Sequence, residues 1–185
     1  MTEFLLIASI HLVAVISPGP DFAVVLRQSL SSSRRASIFT AFGIATSEFF
    51  HCLYSIFGME LIMRYQENIF LVLKPLAIFY LMYLGISSFF TNRPLETASH
   101  SSSKNFTLGF MTNLLNLQAS TFTVTLFFAI VSIDTPLNII IFYAVFIAIS
   151  TFMWFAFLSL LLTSKGFLYK FNNFIPLIYK FTGIV

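Results

Sequence analysis

Five stretches of this chain stay apolar over lengths that fit a bilayer: Phe4 to Leu26, Ile38 to Met63, Ile69 to Phe90, Gly109 to Val131 and Leu137 to Thr163. Each reaches the roughly 20 residues a helix needs to cross about 30 Å of hydrocarbon. Backbone polar groups find no water inside a bilayer, so such runs fold there as helices that bond internally. A sixth stretch, Phe171 to Val185, would extend only about 22 Å as a helix, and it carries Asn172, Asn173, Pro176 and Lys180. It reads as a final span whose end is incomplete, or as an amphipathic helix lying on the surface. The expected fold is an all-α integral membrane protein, a polytopic bundle of about six transmembrane helices.

Composition fits that expectation. Only 9% of the 185 residues are charged, against about a quarter in soluble domains, and the mean hydropathy is +0.90. The net charge of +3 does not point to nucleic acid, because no basic patch with interleaved aromatics is present. The single Cys52 excludes an intrachain disulfide. The first stretch does not read as a cleavable signal peptide, since it lacks a basic leader and a small-residue cleavage site.

Basic residues set the expected orientation. Arg27, Arg34, Arg35, Arg93, Lys104, Lys165 and Lys170 fall in or beside the odd-numbered loops, and Arg64 alone falls in an even one. The odd loops are therefore expected to be cytoplasmic and the N-terminus outside. The longest connection holds Thr97-Ala98-Ser99-His100-Ser101-Ser102-Ser103 and reads as a flexible linker. It divides the chain into a first three-helix half (1–90), a Ser-rich linker (91–108) and a second half (109–185). Halves of three spans each must be inverted relative to one another, so an inverted 3+3 repeat is expected, as in many transporters.

The sharpest local feature is Pro18-Gly19-Pro20-Asp21 within the first stretch. Two prolines remove donors and clash with the preceding turn, so this helix must break. A break at membrane depth is tolerated only against protein or water, which predicts a cavity beside it. Asp21 just past the break suits a proton or a substrate ammonium; the plainer reading is a kink with Asp21 capping the next segment. Glu48 lies mid-span, where a charge normally faces the bundle interior or a water path. His51 follows one helical turn later on the same face, so the two could relay protons, or His51 could simply satisfy a neutral Glu48. The fourth stretch opens with Thr112, Asn113, Asn116, Gln118, Ser120 and Thr121. Asn113 and Asn116 share a face at the depth of the Pro-Gly-Pro break and could frame one site with it, or act as interhelical glue. His11 reads as a buried structural histidine that could face the same cavity. Lys74 reads as a snorkelling side chain, Glu60 and Arg64 as a helix-end pair, and Tyr80 and Tyr83 as packing residues.

No phosphate-binding loop, dinucleotide fingerprint, HExxH, GxSxG or zinc spacing occurs in the sequence. The expectation is a non-enzyme without cofactor or metal, and any pumping would draw on an ion gradient. The protonatable Asp21, Glu48 and His51 suit protons.

These residues together resemble the lysine-exporter superfamily, in its homoserine/threonine-efflux (LysE/RhtB) branch. The resemblance is carried by Ser17-Pro18-Gly19-Pro20-Asp21 with Val24-Val25-Leu26-Arg27 and Arg34-Arg35, then Gly43-Ile44-Ala45 with Glu48 and His51. Leu81-Met82-Tyr83-Leu84-Gly85 and Gly109-Phe110-Met111-Thr112-Asn113-Leu114-Leu115-Asn116 complete it. It implies a multi-pass protein of the bacterial cytoplasmic (inner) membrane, exporting amino acids or related small metabolites in exchange for protons, as a homo-oligomer. The family continues Asn-Pro-Lys in the fourth helix where this chain has Asn116-Leu117-Gln118. The second helix break and its positive charge are thus expected to be lost. With the short sixth stretch, this leaves a truncated, non-transporting relative as the alternative.

Overall fold

The computed structural model describes residues 2–56, 58, 79, 101–132 and 134–164. Glu60, Arg64, Lys74, Tyr80, Tyr83, most of the third stretch and all of the sixth lie outside the described residues. The described ones form helices and their connections, with no strand among them. They comprise α1 (Thr2–Ile16), α2 (Pro20–Ser31), α3 (Arg34–Ile56), α4 (Ser102–Leu114), α5 (Leu117–Ile130) and α6 (Leu137–Leu162).

Two of these, α3 and α6, are long and apolar enough to cross a membrane alone. The other four combine as two broken spans, α1 with α2 bent by 53° and α4 with α5 bent by 61°. The first break falls where the prolines require it. Gly19 is the N-cap of α2 and Pro20 opens it, a position where proline's missing N–H is no loss. Gly19 has φ −152°, which other residues adopt readily, so the break belongs to the prolines.

The second break corrects the expectation that losing proline abolishes it. Asn116 is the N-cap of α5, its side chain accepting from the backbone N–H of Gln118 at 3.1 Å and Ala119 at 3.3 Å. A capping carboxamide competes with the helical ladder for those donors, so it starts a new helix without proline. Asn116→Ala should therefore lower the melting temperature in detergent by an amount equivalent to about 1 kcal/mol. An unchanged melt would mean the cap does not maintain the break.

The Ser-rich segment also differs from its reading as linker to residue 108. Ser101 is the N-cap of α4, which begins at Ser102, and the N–H groups of Lys104 and Asn105 bond the Ser101 carbonyl. Serine favours helix starts as well as linkers, and here α4 gains a packing partner that no local pattern reveals. At the α3–α4 crossing, Gly43 and Gly109 let backbone meet backbone: a Cβ on Gly43 would reach the Phe106 carbonyl, and one on Gly109 the Thr40 carbonyl. The Thr40 hydroxyl donates across this seam to the Asn105 carbonyl at 3.2 Å. Small residues and interhelical hydrogen bonds are what hold helices together in lipid, where apolar burial between helices gains little.

Two apolar clusters complete the packing. Val24, Val25, Leu30, Ile44, Phe155 and Leu158 join α2, α3 and α6. Ile7, Cys52, Phe127, Tyr143 and Ile147 join α1, α3, α5 and α6. Beside the first cluster the hydroxyls of Ser29, Ser37 and Ser159 bond in series at 2.7 and 2.6 Å. At the far end of α1, Glu3 accepts from the Ser132 N–H and from the Thr135 and Tyr143 hydroxyls.

Candidate functional site

Both helix breaks open onto one cavity of about 330 Å³. Proline chemistry places Gly19 and Asp21 on its wall from one side, and the capped start of α5 places Asn116 and Gln118 on the other. Glu48 reaches it from α3 and Asn113 from the end of α4. Phe22 and Phe155, packed with the first apolar cluster, and Phe122, packed with the second, supply apolar walls.

Asn113 sits at the centre of the polar residues and is 1% exposed. Its amide nitrogen donates to Asp21 Oδ2 at 3.1 Å and to Glu48 Oε2 at 3.3 Å. Asn116 Nδ2 donates to the same Asp21 oxygen at 3.0 Å. The Thr123 hydroxyl donates to Glu48 Oε1 at 2.6 Å. One carboxamide thus bridges two buried carboxylates, and Glu48 has a donor on each oxygen. Asp21 does not: its Oδ1 is buried with no hydrogen-bond partner among the described residues, and the same holds for Asn113 Oδ1. A buried acceptor without a donor is costly and calls for a ligand or a proton.

His51 is 1% exposed but bonds Tyr54 and the Asn113 backbone rather than Glu48, which corrects both the direct relay and the reading in which His51 satisfies Glu48. Its Nε2 faces the Asn113 carbonyl at 3.0 Å. A carbonyl only accepts, so Nε2 carries the proton, and in the neutral ring Nδ1 accepts from the Tyr54 hydroxyl at 2.6 Å. Tyr54 in turn pairs with the Ser120 hydroxyl. His51 therefore holds the residue that holds both carboxylates. His11 lines the cavity as well as being buried, and it pairs with the Thr151 hydroxyl at 3.2 Å.

Of the residues singled out from the sequence, Gly19, Asp21, Glu48, Asn113 and Asn116 line this cavity, whereas Pro18 and Pro20 flank Gly19 and His51 bonds the Asn113 backbone without lining it. Tyr54, Thr123 and Thr151 were missed. Tyr54 was findable, since it stands three residues after His51 on one helical face. Thr123 lies one heptad after Asn116, but a lone threonine in an apolar run looks like many others. Among the described residues no group of three or more His, Cys, Asp or Glu could hold a metal ion.

Comparison with known proteins extends these findings. The family described as LysE type translocator matches residues 12–185. The chain is 26% identical over 185 residues to the uncharacterized membrane protein YrhP of Bacillus subtilis (strain 168), covering 92% of this chain and 88% of that protein. It is 25% identical to the uncharacterized membrane protein YahN of Escherichia coli (strain K12), covering 83% and 72%. It is 27% identical to the threonine efflux protein of Escherichia coli (strain K12), covering 63% of this chain and 60% of that one. No solved structure matches.

Proposed function

The chain belongs to the LysE type translocator family, and from that premise we propose that it is a secondary-active exporter of amino acids or close analogues, driven by exchange for protons. Its setting is the bacterial cytoplasmic membrane, with the N-terminus outside, and a homo-oligomer is the proposed assembly. The similarity to a threonine efflux protein supports the substrate class.

The observation that carries the reading is the Asp21–Asn113–Glu48 bridge facing a cavity between two helix breaks. Charged groups inside a membrane are retained at a cost and normally mark an ion or substrate path. Asp21 Oδ1 accommodates a proton or a substrate ammonium, and the two exclude each other. That exclusion is what an antiporter requires: substrate enters when the proton leaves, and the returning proton displaces it. Glu48, bound through the same carboxamide, is the second proposed proton-exchanging group. The breaks occupy the first span of each proposed half, matching the corresponding interruptions of inverted-repeat transporters. Alternation would then rock one half against the other around the cavity. The capped second break and the assembled cavity favour transport over a non-transporting relative.

The test is export from exporter-deficient cells loaded with dipeptides, quantifying every free amino acid in the medium and confirming membrane expression by immunoblot. Faster release of one or a few amino acids, abolished by a protonophore, is expected. Unchanged release with the protein present in the membrane would overturn the proposal.

A further inference from the structure

Glu3 stands in the first turn of α1, where an acid suits the positive end of the helix and needs no partner. It nevertheless receives three donors from the other proposed half. The Ser132 N–H reaches Oε1 at 3.2 Å, the Thr135 hydroxyl spans both oxygens at 3.1 and 3.0 Å, and the Tyr143 hydroxyl reaches Oε2 at 3.3 Å. Two of these donors belong to the connection between α5 and α6, and the third to α6 itself.

The same offset of 140 residues pairs Glu3 with Tyr143 and His11 with Thr151. The two helices therefore run side by side in one direction, with a polar tie at each end of a seam about two helical turns long. Between the ties lie Ile7 and Ile147, both fully buried, in the cluster that also holds Cys52 and Phe127. The cavity stops at this cluster, since its lining begins at His11 on α1 and at Thr151 on α6. The seam thus plugs the cavity toward the end of the bundle where α1 starts, the end proposed above to face outside.

In lipid, apolar side chains gain little by leaving the solvent for one another, so polar ties decide whether such a plug holds. Glu3, a carboxylate with three donors, is a stronger tie than the single His11–Thr151 bond. The far end of α1 supplies a hinge. It stops at Ile16, α2 starts at Pro20, and neither Pro18 nor Pro20 has an N–H to link them.

We propose that Glu3 latches an outer gate, and that the cavity opens outward when its bonds break and α1 swings away from α6 about the Pro-Gly-Pro break. This deepens the export proposal and rests on its orientation and path, but its test reads opening rather than transport.

Cys52 is the chain's single cysteine and is fully buried in the plug, so its reactivity reports how often the plug opens. The full chain in detergent is treated with a small methanethiosulfonate reagent, and labelling is followed by intact mass. Glu3→Ala should speed labelling at least about tenfold, the scale set by losing hydrogen bonds to a charged group. Glu3→Gln keeps one acceptor oxygen and should speed it less; it carries the test if the alanine variant is not recovered. Ser37→Ala removes the Ser37–Ser159 tie near the opposite end of α6 and should leave the rate unchanged. Unchanged labelling of the recovered Glu3 variants, or equal acceleration by Ser37→Ala, would overturn the proposal. Accelerated labelling of a chain that exports nothing from cells would instead defeat the transport reading and leave the latch between α1 and α6 standing.

Discussion

Asp21→Asn should bring export close to background while the protein reaches the membrane at its normal level. The substitution is nearly isosteric, and the new side chain keeps a carbonyl oxygen to accept from Asn113 and Asn116, which now bond Asp21 Oδ2 at 3.1 and 3.0 Å. The fold is therefore retained. What disappears is the negative charge and the ability to take up and release a proton. A hydrogen bond to a charged group contributes about 1.5–3 kcal/mol, so substrate binding alone should weaken about ten- to hundredfold. The proposed proton exchange would stop as well, because a carboxamide, unlike a carboxylate, does not take up and release a proton near neutral pH. Export assays in cells, paired with immunoblots of the membrane fraction, separate the two effects from loss of protein. Wild-type export by the variant would remove Asp21 from the mechanism.

Gly109→Ala should be strongly damaging, because the added methyl would meet backbone on the facing helix. Its Cβ would fall on the Thr40 carbonyl oxygen and lie 2.8 Å from the carbonyl carbon. Both are backbone atoms, so no side chain can turn away, and α3 and α4 must separate. Two effects compete. Alanine is favoured over glycine inside a helix by about 1 kcal/mol, whereas overpacking typically costs about 1–3 kcal/mol and sometimes more. With rigid backbone as the obstacle the steric effect wins. Separation would also stretch the Thr40–Asn105 bond and draw Asn113 away from Glu48 and His51. A lower melting temperature in detergent and loss of export are expected together. Gly19→Ala serves as the comparison, since the nearest atom to its Cβ is Gln118 Oε1 at 3.7 Å. Equal or greater stability of Gly109→Ala would contradict the close crossing.

The sequence by itself determined the membrane setting and the first helix break. Neither needs a neighbour: apolar length is set by bilayer thickness, and two prolines around one glycine interrupt a helix in any context. Asp21 and Glu48 were legible for a related reason, because a charge within an apolar run stands out wherever the chain folds. Asn113 and Asn116 were legible as a polar pair that could frame one site with the Pro-Gly-Pro break, but their bonds to Asp21 came only from the structure.

The tertiary structure decided the rest. Leu117 in place of proline suggested a continuous fourth helix, and only the capping geometry of Asn116 shows why the break survives. Glu48 and His51 looked like partners because they are one turn apart, yet each bonds instead to a different part of Asn113. Thr123 reaches Glu48 from another helix, a contact that carries no spacing signal. Local rules report what a residue does to its own helix. Which donor meets which acceptor across helices depends on their crossing, and here that crossing passes through the backbone contact at Gly43 and Gly109.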